Sequence, residues 1–191
     1  MNQFTVSLWG DEAWAATLAI KPVWQIVTIV SRDTSPPLYY LLLHFWMRIF
    51  GHGEVTIRLL SFLFFCATCF FVYLIGKHLW DKKTAIIAAI LTFLNPFLFQ
   101  YAFEGRMYSL LLLTTTSSMY FYLKGKKTAY ILSSIVSLYT HHFSIFAIFV
   151  QSLWSLRQLK NQSLFSVLKP YFLIGLAYLP WLYPLYYQTS L

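Results

Sequence analysis

Charge is scarce in this chain: of its 191 residues only 10% are Asp, Glu, Lys or Arg, and only six are acids. An average soluble domain carries roughly a quarter charged residues. The polar side chains here cannot solvate a globular surface, so a water-soluble domain is excluded. Disorder is excluded by the opposite excess, 59% hydrophobic and 20% aromatic residues, a composition that must bury or dissolve in lipid. Cysteine is nearly missing as well. Cys66 and Cys69 lie inside one apolar run and are too few for a disulfide framework or a structural zinc, so they are read as packing residues. No P-loop and no GxGxxG occurs, which leaves nucleotide chemistry without support. The segment before Asp11 contains no basic residue, so no signal peptide is expected. The net charge of +8 would suit nucleic acid, but the basic residues sit between apolar runs, as in a polytopic membrane protein, and no nucleic-acid partner is expected.

What the chain does have is apolar runs of membrane length. Residues 55–76 are long enough, at about 1.5 Å per residue, to cross a hydrocarbon core of about 30 Å. Residues 84–101 and 107–123 give a second and a third span. The stretch 128–156 is too short for two ordinary crossings and too long for one. Lys126 and Lys127 precede it and Arg157 and Lys160 follow it, so the rule that keeps basic loops cytoplasmic predicts a short helical hairpin with His141 and His142 at its tip. A last span, 171–187, is expected to kink or end at Pro180 and Pro184.

The region before residue 54 reads differently. PPLYYLLLHFWMRIF (36–50) is too short to span and rich in interfacial aromatics, and it is predicted to lie in the membrane interface. Ser35 is its expected N-cap with Pro36 at the first helical position, and Gly51 and Gly53 its terminators. Residues 13–30 divide at Lys21 and Pro22 into two short apolar helices, the alternative being a single tilted crossing. The predicted fold is all-α, a polytopic transmembrane helical bundle with N-terminal interfacial helices. It forms one membrane domain over 1–191, with an outer loop at 1–53 and about six membrane helices at 54–191, two of them short. In this topology Asp11, Glu12, Asp33, Glu54 and Glu104 share the outer side, leaving Asp81 inside. Acids contribute little to orientation, so their gathering points to function.

Asp11 and Glu12 begin an apolar helix, where a carboxylate can take a proton from an incoming hydroxyl; capping and first-turn roles are the structural alternative. Asp33 can likewise initiate the turn before Pro36 and Pro37. Glu54 and Arg58 stand four apart in the order that favours a helical ion pair. Alternatively, Arg58 presents its planar fork of donors to a phosphate while Glu54 orients it. Glu104 and Arg106 repeat the combination between Tyr101 and Tyr108. Ionisable groups retained near the apolar phase usually face a cavity, a partner or a substrate. Adjacent His141 and His142 point in different directions, so at most one belongs to a site, and no HxxxH pattern supplies a metal centre. The polar run 114–118 is read as close helix packing.

The segments GDEAW (10–14), DTSPPLYYLLLHFW (33–46), FGHGEVTIRLLS (50–61), NPFLFQYAFEGRMYSL (95–110) and THHFS (140–144) follow one another in order. Together they resemble the N-terminal half of a GT-C membrane glycosyltransferase, in the subgroup related to protein O-mannosyltransferases and lipid A aminoarabinose transferases. The resemblance implies a sugar donor carried on a polyprenyl or dolichyl phosphate and inverting transfer to an acceptor hydroxyl. It places the presumed general base at Asp11, with Glu12 beside it. Arg58 and Arg106 become candidate cations for the leaving phosphate, and Glu54, Glu104, Tyr108, Asp33 and His141 complete the candidate donor site. No metal and no cofactor are expected beyond the donor substrate itself. The implied location is a multi-pass protein of the plasma (inner) membrane, with its catalytic face outside the cytoplasm and in contact with membrane lipid. Relatives usually carry a helix before the DE loop and more after the equivalent of Leu191, so the chain looks like a fragment. Ser35 stands where relatives often have His or Lys, which removes a possible phosphate contact. Two other readings are a non-catalytic membrane protein binding a lipid-linked sugar or a partner, and a small transporter. Transport is disfavoured because the charges gather at one surface rather than near the midplane.

Overall fold

A computed structural model describes residues 3–160 and 162–189. Among these residues every regular element is helical and no strand occurs, as the apolar runs require. Three short helices, α1 (Gly10–Ala19), α2 (Val23–Val30) and α3 (Leu38–Phe50), precede a bundle of longer ones. The break at Lys21 and Pro22 falls where the sequence predicts it. In α3 one face, Tyr39, Tyr40, Leu43, His44 and Met47, is buried, while Phe45, Ile49 and Phe50 remain open to the surroundings. Two side-chain bonds fix α3 in place. His44 Nδ1 meets the Ala19 carbonyl at 2.7 Å, and Trp46 Nε1 donates to the Thr56 carbonyl at 2.8 Å.

The start of α3 corrects the expected cap. Leu38 is the first helical residue and Pro37 precedes it; Ser35 is buried instead of capping. Pro36 stands before Pro37 and is pushed out of the helical region, so it cannot be the first helical residue, and Ser35 has no helix start beside it to cap. Gly51 ends it at φ +95°, a conformation that favours glycine, as the sequence implies.

The bundle begins with α4 (Glu54–Leu79), whose 26 residues reach about 39 Å. After it, α5 (Lys82–Phe93) is capped by Asp81, whose carboxylate accepts from the Thr84 amide at 2.8 Å. Gly76 brings α4 and α5 together, since a Cβ there would lie 2.8 Å from the Ala85 Cα. The expected continuous span 84–101 is broken: α5 gives way to α6 (Pro96–Ala102) at a bend of 65°. Asn95 is extended (ψ 115°) because Pro96 follows it, and its side chain then caps α6 through the Leu98 amide at 3.1 Å. The chain runs on through α7 (Tyr108–Leu123), a turn at Gly125 (φ +65°), α8 (Lys127–Thr140) and α9 (Ser144–Ser155). A short 3₁₀ turn, Leu156–Lys160, leads to α10 (Leu164–Thr189).

The hairpin predicted for 128–156 is present as α8 and α9, with His141 and His142 at its tip. It packs through polar contacts: Thr114 on α7 bonds Ser137 at 3.2 Å, and Gln151 on α9 bonds Ser118 at 3.2 Å. Of the two outcomes expected at Pro180 and Pro184, a kink or an end, the end does not occur. Helix α10 continues through Pro170, Pro180 and Pro184, and Tyr139 donates to the Ala177 carbonyl at 3.0 Å in the stretch the prolines weaken. By length and composition α4 and α10 are suited to crossing a membrane, as is the bent pair α5–α6 if it forms one span. The other helices after residue 54, α7, α8 and α9, have 16, 14 and 12 residues and fall short of the length of those spans. Lipid-facing side chains on α9 (Phe146, Phe149, Val150) and α10 (Phe172, Tyr183) are widely exposed, as an integral membrane protein requires.

Candidate active site

Helix α1 starts at Gly10, so Asp11 and Glu12 fall in its first turn, and no side chain caps it. Their carboxylates are thereby free for distant partners. Asp11 accepts from the Arg106 guanidinium, 95 residues further along the chain. Glu12 turns the other way and is buried, with 1% of its surface exposed. Its Oε2 takes Arg58 Nη2 at 2.6 Å, and its Oε1 takes Arg58 Nε at 3.1 Å and the Gly105 amide at 2.7 Å. This corrects the i,i+4 reading: Arg58 ignores Glu54 and pairs with Glu12. The remaining N–H groups of Arg58 bond the carbonyls of Gln3, Val6 and Ser7, so the whole donor fork is occupied. A phosphate reaching Arg58 would have to displace one of these partners.

The segment Glu104–Gly105–Arg106 between α6 and α7 is thus laced to α1 by two adjacent carboxylates. Gly105 is required by the closeness of that approach: a Cβ would stand 2.6 Å from Ile57 Cγ2 and 3.4 Å from Glu12 Oε1. Arg106 also lies over the Tyr108 ring, its guanidinium carbon 5.3 Å from the centroid. Tyr108 in turn packs against Tyr101, at 5.0 Å, and His141, at 6.3 Å between centroids.

The two histidines separate as expected. His141 Nδ1 accepts from the Phe143 amide at 3.1 Å, which puts the proton of the neutral ring on Nε2. Burial lowers its pKa, and the neighbouring His142 and the Arg106 charge lower it further. His142 lies outside the cluster: its Nδ1 bonds the Tyr178 hydroxyl and its Nε2 the Gln188 side chain, both at 2.9 Å. Gln188 then donates to the Val30 carbonyl at 2.9 Å, tying the hairpin tip, α10 and α2 together.

A cavity of about 300 Å³ opens at this end, lined by Asp11, Trp14, Asp33, Thr34 and Arg106. The structure therefore brings Asp11, Asp33 and Arg106 into one space, with Tyr108 and His141 beside the guanidinium. Glu54 lines no cavity described here and lies exposed at the start of α4. Glu104 faces away from the Arg106 side; half-buried, its carboxyl is pushed up to about 7, first by burial and then by the Glu12 charge. Sequence reasoning missed Trp14, Thr34 and Gly105. Only the glycine leaves a readable trace, as a small residue between two charges.

The apolar helices, with their exposed hydrophobic side chains, are those of an integral membrane protein, and a polar, carboxylate-lined cavity opens at one end of the bundle. Residues 34–183 match the family model described as dolichyl-phosphate-mannose-protein mannosyltransferase, and the chain belongs to that family. Membership of that family indicates a membrane glycosyltransferase and suggests a lipid-linked sugar as its donor. The matched residues include Arg58, Glu104, Arg106 and His141 but begin after Asp11 and Glu12. No curated protein and no solved structure matches the chain.

Proposed function

We propose that this chain transfers a sugar from a polyprenyl-phosphate donor to an acceptor hydroxyl on the non-cytoplasmic face of the membrane, with inversion and with Asp11 as general base. The observation that carries the reading is the meeting of Asp11 and Arg106, from opposite halves of the chain, in the cavity they share with Asp33 and Trp14. Inverting transfer needs a base on the acceptor side of the anomeric carbon and a cation on the phosphate side, and this cavity is lined by one candidate for each. The Asp11 carboxylate takes the acceptor's proton as its oxygen attacks the anomeric carbon. The bond from that carbon to the phosphate oxygen breaks with its electron pair, and Arg106 stabilises the charge gathering on the lipid phosphate. The proton on Asp11 then passes to water.

In the ligand-free arrangement Arg106 is paired with Asp11, so an arriving phosphate competes for the guanidinium and leaves the carboxylate free to act. His141 supplies a further N–H beside Arg106, and Asp33 and Trp14 offer a hydroxyl acceptor and a ring face to the sugar. Glu12 and Arg58 position the site: each is committed to the other, and Glu12 holds the Gly105 amide that places Arg106. Glu54 has no part in this scheme.

The test supplies a polyprenyl-phosphate sugar and a panel of labelled hydroxyl acceptors to the purified chain and to Asp11→Asn. Transfer is expected to fall at least a hundredfold in the variant, with donor binding retained. Undiminished transfer would defeat the assignment of the base. Donor binding without transfer by the unmodified chain would favour a non-catalytic protein that holds the lipid-linked sugar.

A further inference from the structure

A second cavity, about 240 Å³, lies on the far side of the first turn of α1 and shares no lining residue with the Asp11 cavity. Neighbouring residues feed the two spaces in turn. Asp11 and Arg106 face one, and Glu12 and Glu104 the other. Nothing in the transfer scheme uses the second.

Its chemistry narrows what it can hold. Among the described residues Arg58 is the only cation in its lining, and every N–H of that guanidinium is already given to Glu12 or to the carbonyls of Gln3, Val6 and Ser7. An anion therefore finds no donor charge here, which leaves the donor's phosphate to Arg106. What the cavity offers is two side-chain amides, Gln3 and Gln100, the Glu104 carboxyl, and the ring of Trp9, which is 53% exposed. Among the described residues the Glu104 carboxyl takes no hydrogen bond or ion pair. Close to neutral pH it is present in both forms, so it can accept from a hydroxyl or donate to one.

Amides, a carboxyl and an aromatic face suit a sugar ring, which has a polar rim and apolar faces. The wall is also built in advance. Arg58 pins the backbone from Gln3 to Ser7, and the Phe4 ring is wedged against Phe62 and Phe103 at 5.7 and 4.8 Å, so ordering this wall costs a ligand little.

We infer that this second cavity is an acceptor subsite that binds an uncharged sugar unit next to the one bearing the attacking hydroxyl, with Gln100 and Glu104 as its hydrogen-bonding groups and Trp9 as its stacking face. The inference rests on the proposed transfer at Asp11 and narrows it: the acceptor is a glycan of at least two units. Gly10 lies between Trp9 and Asp11 with open space around it, so a chain of sugars can cross from one cavity to the other over a bare backbone.

The test measures binding to the detergent-solubilised full chain by saturation-transfer NMR. The probes are methyl glycosides of glucose, galactose and mannose, the corresponding neutral disaccharides, a Ser/Thr-rich peptide, and polyprenyl phosphate. At least one disaccharide is expected to bind more tightly than its methyl glycoside. Gln100→Ala and Trp9→Ala are each expected to weaken it about fivefold to tenfold, with polyprenyl phosphate binding unchanged as the control for folding. Equal binding of monosaccharide and disaccharide, disaccharide binding indifferent to both substitutions, or peptide binding that depends on them would each overturn the subsite. Loss of polyprenyl phosphate binding in the unmodified chain would remove the transfer reading itself, a different failure visible in a different probe.

Discussion

The Glu12–Arg58 pair makes a sharp prediction about stability, because both groups are almost wholly enclosed, with side chains 1% and 4% exposed. Two charges taken out of water gain from each other only what their geometry returns, but removing one leaves the other stranded. Replacing Arg58 with Met strands the Glu12 carboxylate and abandons the Gln3, Val6 and Ser7 carbonyls. The expected loss is about 3–5 kcal/mol. Glu12→Gln strands the guanidinium instead and should cost a comparable amount. The double variant behaves differently. Its amide oxygen still accepts from the Gly105 N–H, no charge remains buried, and the methionine fills the space of the arginine stem, so it should be closer to the unmodified protein than either single change. Equilibrium unfolding in SDS–detergent mixtures, run as a double-mutant cycle, reads this directly. Losses in the double variant equal to the sum of the two singles would refute the reasoning. So would a single variant within about 0.5 kcal/mol of the unmodified protein, the range of ordinary surface substitutions.

Gly105→Ala would drive a methyl group to 2.6 Å from Ile57 Cγ2; a loss of about 1–3 kcal/mol and of transfer activity is expected, whereas Gly53→Ala, with nothing within 4 Å, should be silent in the same unfolding assay. Glu104 has its carboxyl raised from 4.5 to about 7 in the folded protein, so the folded state keeps a proton that the unfolded state has released. Stability should therefore fall as pH rises from about 4.5 to about 7 and level off above that. Glu104→Gln should flatten this slope, and an unchanged slope in denaturation curves across that range would contradict the placement. His142→Phe removes both bonds that tie the hairpin tip to α10. It should cost about 1–2 kcal/mol and raise hydrogen exchange around residues 141–144, with the far end of α8 unaffected.

Much of the fold was legible because its signals are local. Lys21–Pro22 divides two apolar stretches, Gly51 can take a positive φ, and basic residues on both sides of 128–156 call for a short helical hairpin; the structure has the break, the glycine turn and the pair of helices. The break at Asn95–Pro96 was equally local but was outweighed by the apolar length around it, although proline chemistry decided the outcome. In α10 the balance went the other way, since a packed helix tolerated prolines that seemed fit to end it. The site was legible only in its cast. Asp11, Glu12, Arg58 and Arg106 stand out as charges in an apolar chain, but their pairing does not follow from spacing. The helical rule offered Arg58 a neighbour four residues away, and it bonded one 46 residues away. Trp14 and Thr34 carried no signal, because an aromatic or a hydroxyl near an interface is ordinary.

The lacing of Gly105 and Arg106 onto α1 also dictates an order of events during biosynthesis. Glu12 leaves the ribosome 46 residues ahead of Arg58 and 93 ahead of Gly105. At about 5–20 residues per second, several seconds pass before its partners exist. A carboxylate without its partner is costly to take out of water, so until then the leading segment stays undocked with its two acids hydrated. It can dock only after the loop following α6 has been translated, so a nascent chain stalled before that point would expose α1 to proteases that the finished protein resists.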